Sequence, residues 1–203
     1  MMNAISIKMI FPEKRSCHFP EDLKPNRIKQ VHAFHESVDG YAATPLWHLP
    51  NLATHLGLKN FYVKDESFRF GLNAFKSLGA TWALARILGE RLGQPVSSLD
   101  FSYFKQPAIK KKIQNMVFVT ATDGNHGRGL AWAAGQLGCR AVIFMPAGTV
   151  KRRVENIEKE GARVQVTDMN YDDTVRLAAV AAEDNGWTIV QDTAWKGYES
   201  IPA

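Results

Sequence analysis

A lysine, two aspartates and a glycine-rich turn are the residues of this chain whose types and spacing could do chemistry. Lys76 sits in "FGLNAFKSLGA", between Phe75 and an apolar run with helical spacing. An amine partly desolvated beside Phe75 and Leu78 gives up its proton more readily than a hydrated one, and a neutral amine can attack a carbonyl carbon. The competing reading is a lysine whose stem lies on apolar surface while its ammonium reaches water. The stretch "TATDGNHGRG" runs from Thr120 to Gly129. Its glycines permit a tight turn and close backbone approach. A turn of this kind at a helix start presents free N–H groups to a carboxylate or phosphate. The alternative is a plain Asp123 N-cap with a glycine turn. Asp123 and Asp192 each follow a strand pattern, so both could face one crevice as acid, base or ammonium binder. Each could equally cap a helix.

The elements around these residues set where they can meet. Residues 1–40 read as an N-terminal arm, with a helix in "PNRIKQVHAFHESV". From there to residue 203 strands and helices alternate. "NFYVKD", "MVFVT", "RAVIFM", "ARVQVT" and "WTIVQD" are strand patterns. "AFKSLGATWALARILGERLG", "HGRGLAWAAGQLG", "TVKRRVENIEKEG" and "NYDDTVRLAAVAAEDNG" are helices ended by Gly93, Gly138, Gly161 and Gly186, the third capped by Thr149. Alternation of this kind predicts an α/β fold: an open, mostly parallel sheet with helices on both faces. "QPVSSLDFSYFKQPAIKKKIQN" breaks the rhythm and reads as a surface insertion. In parallel sheets the ligand crevice lies at the carboxyl ends of the strands. That rule selects the loops carrying Lys76, Asp123 and Asp192.

Several function classes fall away on composition. The net charge is +5, but the basic residues are scattered rather than striped with aromatics, so no nucleic-acid partner is expected. No run is long and apolar enough to span a bilayer, and the N-terminus is a poor signal peptide. Cys17 and Cys139 have neither metal spacing nor a disulfide framework, which fits a reducing, cytoplasmic setting. "HAFHE" at His32 to Glu36 lacks the order of a zinc hydrolase motif and reads as a solvated helix face, so no metal is expected. The glycine spacing G-x-x-G-x-G is not the dinucleotide fingerprint G-x-G-x-x-G, and no Walker A loop is present.

Together the three loops resemble the pyridoxal-phosphate enzymes of the tryptophan-synthase-β type, fold type II. Within that group, "VKDESFRFGLNAFKSLGA", "TATDGNHGRGLAWAA", "TDMNYDDTVRLA" and "VQDTAWKGYESIP" are similar to the diaminopropionate ammonia-lyases. The resemblance covers the chain from about Tyr41 onward. It implies pyridoxal 5'-phosphate as cofactor, held covalently by Lys76, with Asn125 at its ring hydroxyl. It implies Lys76 as base on the α-proton of the L-substrate and Asp123 as the base on the opposite face for the D-isomer. Backbone N–H groups from Thr122, Asp123, Gly124, Asn125 and His126 would hold the substrate carboxylate. Asp192 would bind the substrate's second ammonium. The implied reaction is α,β-elimination of 2,3-diaminopropionate to pyruvate and ammonia.

One departure qualifies the resemblance. The chain stops at "YESIPA", whereas that family continues with a glycine-rich cup for the cofactor phosphate and a group facing the pyridine nitrogen. Residues 41–203 then correspond to the smaller domain plus the lysine segment, without the phosphate-binding portion. The expectation is an N-terminal fragment that binds cofactor poorly, turns over little and exposes apolar surface. A homodimer is implied for the full-length form. The runner-up activity is that of a serine or threonine dehydratase-like enzyme, from which Asp123 is the distinguishing residue. The alternative of another class is a noncatalytic remnant or interaction fragment.

Overall fold

A computed structural model describes residues 23–199 and 201. Four parallel strands form its central sheet in the order β5-β4-β3-β6: β3 (Val117–Ala121), β4 (Arg140–Met145), β5 (Arg163–Val166) and β6 (Thr188–Ile189). β3 and β4 are near-continuous apolar runs because both their faces are covered. One face carries α3 (Lys76–Arg91) and α6 (Asn125–Leu137), with Leu84, Leu88, Leu130 and Leu137 fully buried between them and the sheet. Burying one such side chain stabilises the fold by about 1.5–3 kcal/mol. The other face carries α8 (Tyr171–Asn185), which packs Ala178 and Ala182 on Val119, Ala121, Val142 and Phe144. α7 (Lys151–Glu158) connects β4 to β5. The α/β reading, parallel and covered on both faces, is borne out.

Helix ends follow local chemistry. Gly138 and Gly186 close α6 and α8 in the left-handed conformation, where a Cβ is costly. Asn170 caps α8 by accepting from Asp173 N–H at 3.0 Å, and Asp172 and Asp173 in the first turn suit the positive end of the helix. The Thr149 cap predicted for α7 does not form. Thr149 Oγ1 instead donates to Pro146 O at 2.8 Å, and Val150 is the N-cap.

Two segments read as peripheral are part of the core. The stretch taken as a surface insertion contains α4 (Phe101–Lys105) and α5 (Pro107–Ile113), whose Phe101, Phe104 and Ile113 are fully buried. Within the segment read as an arm, α1 (Pro25–Glu36) packs Phe34 into the same cluster. Its His35 is buried and donates from Nε2 to Leu78 O at 2.9 Å, so of that motif His32, Ala33 and Glu36 lie on the solvated face. A two-stranded antiparallel sheet stands apart from the main one. It pairs β1 (Leu46–His48) with β2 (Tyr62–Lys64), and α2 (Pro50–His55) connects them. Periodicity exposed β2 but not the three-residue β1.

Candidate active site

The turn after β3 is organised by a hydroxyl. Thr122 Oγ1 accepts from Gly124 N–H at 3.0 Å and from Gly127 N–H at 3.2 Å, while Thr122 N–H donates to Phe144 O at 3.0 Å. Thr122, not Asp123, therefore serves the start of α6. Of the five predicted N–H groups, those of Thr122 and Gly124 are occupied, leaving those of Asp123, Asn125 and His126 for an anion. The glycines act through close packing. A Cβ on Gly127 would stand 2.3 Å from Thr122 Cγ2. A Cβ on Gly129 would stand 2.9 Å from Ser77 N and 3.0 Å from the Lys76 carbonyl carbon. Gly129 thus lets α6 lie directly against the residue of interest.

Lys76 is the first residue of α3 and lines a cavity of about 290 Å³ with Gly79, Ala83, His126, Val190 and Asp192. Its Nζ donates to Asp192 Oδ2 as an ion pair. Phe75 is 60% exposed and lines the same cavity with Ala80 and Ile201, and the amine's partner is a carboxylate. Burial acts to raise the Asp192 carboxyl. The hydrogen bond from Lys76 and the charges of His126 and Lys76 outweigh it and hold the group below the usual carboxylate range. His126 is buried; its Nε2 donates to Val190 O at 2.8 Å and its Nδ1 lies 3.8 Å from Asp192 Oδ2. Burial depresses its pKa, against the opposing pull of the Asp192 charge.

Gln191 lines the same cavity and Tyr171 a neighbouring one, and sequence reasoning passed over both. Gln191 is buried and bonds β3 through its amide, donating from Nε2 to Ala121 O at 2.8 Å and to Tyr171 Oη at 3.1 Å. The one sequence signal was a glutamine at the end of the apolar run "WTIVQD". Burial pushes the Tyr171 phenol up, as do the negative charges of Asp192 and Asp123.

The remaining predicted residues are distributed around this cavity. Asp123 is mostly in solvent, with its Oδ2 3.8 Å from Arg153 Nη1. Gly124 and Asn125 line a separate, more polar pocket of about 230 Å³ with Asn73, Arg128 and Arg153. Thr122 is buried beneath the turn. The structure therefore brings together Lys76, His126 and Asp192, with Asn125 and Asp123 beside them rather than inside. Among the described residues no cluster of His, Cys, Asp or Glu could hold a metal ion, and no helix is long and apolar enough to cross a membrane.

Comparison with known proteins places this arrangement. The family described as pyridoxal-phosphate dependent enzymes matches residues 38–202, most of the chain and all three loops. The chain belongs to the pyridoxal-phosphate dependent enzymes. Within that family it is 54% identical over 180 residues to diaminopropionate ammonia-lyase of Salmonella typhimurium, a match spanning 89% of this chain and 45% of the Salmonella protein. It is 52% identical over 177 residues to the Escherichia coli enzyme of that name, covering 87% and 44% of the two chains. The apo crystal structure of the Escherichia coli enzyme is similar in fold, with a TM-score of 0.80 over 86% of this chain and 47% of that one. The chain spans about half the length of the curated relatives it matches.

Proposed function

We propose that this chain carries the lysine-bearing part of a diaminopropionate ammonia-lyase, a pyridoxal-phosphate-dependent carbon–nitrogen lyase acting on a small amino acid. The observation that carries the reading is Lys76 at the head of α3, its amine on a cavity wall and paired with Asp192. The residues present fit a flat aldehyde cofactor on its reactive side. Gly79 lies on the same wall, one turn along α3, and a Cβ there would meet nothing within 4 Å. The wall is therefore bare beside Lys76, at a helix position where glycine costs about 1 kcal/mol relative to alanine.

The cofactor, when bound, supplies an electron sink for the carbanion at the substrate's α-carbon. Lys76 would hold its aldehyde and, once released by substrate, take the α-proton on Nζ. Asp192 orients that amine and, when the amine is engaged, offers its carboxylate to a substrate ammonium. The free amides of Asn125 and His126 would bind the substrate carboxylate, and the Asn125 side chain would face the ring hydroxyl. Asp123 would serve the opposite face and the leaving amine. The setting proposed is cytoplasmic and the full assembly a homodimer.

Two measurements test the proposal. Pyridoxal phosphate followed by borohydride should label Lys76 ahead of the other lysines, and Lys76→Ala should remove that label. With the remaining portion of the Salmonella protein supplied, 2,3-diaminopropionate should yield pyruvate. Faster pyruvate release from serine than from diaminopropionate would overturn the substrate assignment.

A further inference from the structure

The imidazole of His126 is a buried group of the site whose side chain has no part in the proposed function. It enters the Lys76 cavity from the first turn of α6. The fold sets its tautomer. Nε2 lies 2.8 Å from Val190 O, and a carbonyl oxygen only accepts, so the neutral ring keeps its one proton on Nε2. Nδ1 is left with a lone pair. That lone pair stands 3.8 Å from Asp192 Oδ2, too far for a hydrogen bond and one acceptor against another. The same Oδ2 accepts from Lys76 Nζ. One carboxylate oxygen is therefore shared by an amine rich in protons and an imidazole nitrogen that lacks one.

The charges around the ring decide when it can take that proton. Burial keeps it neutral; the Asp192 carboxylate pulls the other way, and the Lys76 ammonium adds to the effect of burial. The neighbouring elements supply groups engaged elsewhere. Asp123, before α6, is exposed and faces Arg153 of α7. Arg128, on α6 itself, pairs with Glu160. Tyr171 of α8 and Tyr198 are phenols pushed up by burial, both bonded to Gln191. Loss of the Lys76 ammonium thus removes a charge that opposes protonation of the ring. It also leaves the partly buried Asp192 without a counter-charge, which is costly. Both changes favour a proton on Nδ1.

We infer that His126 is the proton acceptor that lets Lys76 leave its ion pair: Nδ1 takes, through Asp192 Oδ2, the proton that the lysine sheds on bonding to an aldehyde carbon. The inference rests on the role proposed for Lys76. The step balances. An ammonium that forms a carbon–nitrogen double bond gives up three protons. Two leave with the aldehyde oxygen as water. The third breaks from Nζ, crosses Oδ2 as the gap to the ring closes, and forms an N–H bond on Nδ1. No electrons are gained or lost, and the charge of the site is unchanged. The contact between two acceptors becomes a charge-assisted hydrogen bond. Return of the proton restores the ammonium when the lysine is released. His126 acts through Asp192, as a positioning residue that holds a proton in reserve.

Imidazole nitrogen NMR of the full chain, without cofactor, tests this, with His126→Gln to assign the signal. The parent should show the Nε2–H tautomer when neutral. In Lys76→Met the His126 titration should move up by about one pH unit or more, a tenfold gain in proton affinity. Lys76→Arg keeps the charge and should titrate with the parent, and adding Asp192→Asn to Lys76→Met should reverse the rise. An Nδ1–H tautomer in the parent, read without any variant, would overturn the inference, as would equal titration of the parent and Lys76→Met. Borohydride trapping of pyridoxal phosphate supplies the second readout. His126→Gln should slow labelling of Lys76 by about tenfold or more, and an unchanged rate would also overturn the inference. Lys76 that is labelled beside an unmoved His126 titration removes the proton role and leaves the proposed function standing; absence of the label removes both.

Discussion

The side-chain amide of Gln191 pairs with the main chain of Ala121 as a neighbouring strand would. Nε2 donates to Ala121 O at 2.8 Å, and Oε1 accepts from Ala121 N–H at 3.1 Å and from Thr120 Oγ1 at 2.5 Å. β6 ends at Ile189, so this side chain continues the ladder past the strand. It ties the loop holding Asp192 to the turn that begins at Thr122.

Replacing Gln191 by Leu should therefore cost about 1–3 kcal/mol, because buried groups of Ala121 lose their partners. Tyr198→Phe should cost less, about 0.5–1.5 kcal/mol, since it removes one acceptor, the hydroxyl 2.7 Å from Gln191 N. Urea denaturation of each variant measures both. Equal stability of Gln191→Leu and the parent would refute the ladder role.

Gly129→Ala should destabilise by about 1–3 kcal/mol through overpacking, because its neighbours at 2.9 and 3.0 Å are backbone atoms that cannot swing away. The strain falls on the first turn of α3, so Lys76 should move with it. A changed rate of borohydride-trapped pyridoxal phosphate labelling at Lys76 would report that movement.

Gly79→Ala should act in opposite directions on stability and binding. The helix gains up to about 1 kcal/mol, since nothing obstructs the added methyl. The methyl occupies the cavity wall beside Lys76, so labelling of Lys76 should fall. Thermal melting and peptide-mapped labelling on the same sample separate the two effects.

Acid should weaken the fold from just below neutrality. Burial depresses the pKa of both His35 and His126 from an ordinary value of 6.5. The unfolded chain then binds protons that the folded one refuses, so stability is full above that value and declines as pH falls below it, toward the folded-state values. The Asp192 carboxyl, held below its usual range, adds a further loss at lower pH. Urea midpoints measured from pH 7 to pH 5 should drop, and the drop should shrink in His35→Gln. An unchanged slope in that variant would remove His35 from the account.

Cys139 should be chemically silent in the folded protein. Burial pushes its thiol up to about 12, so at pH 8 only about one molecule in ten thousand carries the reactive thiolate. Its Sγ also donates to Ile113 O at 3.5 Å. Cys17 lies outside the described residues, so the measurement uses Cys17→Ser. Thiol titration should read near zero before denaturation and one group after it.

Local chemistry carried much of this protein. The alternation of apolar strand and amphipathic helix, with glycine at Gly93, Gly138 and Gly186, announced a parallel α/β sheet, because period and helix termination are properties of neighbouring residues. The rule that ligands gather at strand carboxyl ends then selected Lys76 and Asp192, and the structure pairs them. Distant relationships were out of reach. Lys76 and Asp192 are 116 positions apart, and they meet because β6 inserts beside β3, an order no local pattern encodes. β1 is three residues long and gains its definition from β2 across a loop. Phe101 and Phe104 looked like insertion residues because the core that buries them is built from distant parts of the chain, Phe34 of α1 lying against Phe101. The roles of the Thr122 hydroxyl and of Gln191 were out of reach for a related reason: a polar side chain's role depends on which backbone groups lack partners, and only the folded chain decides that.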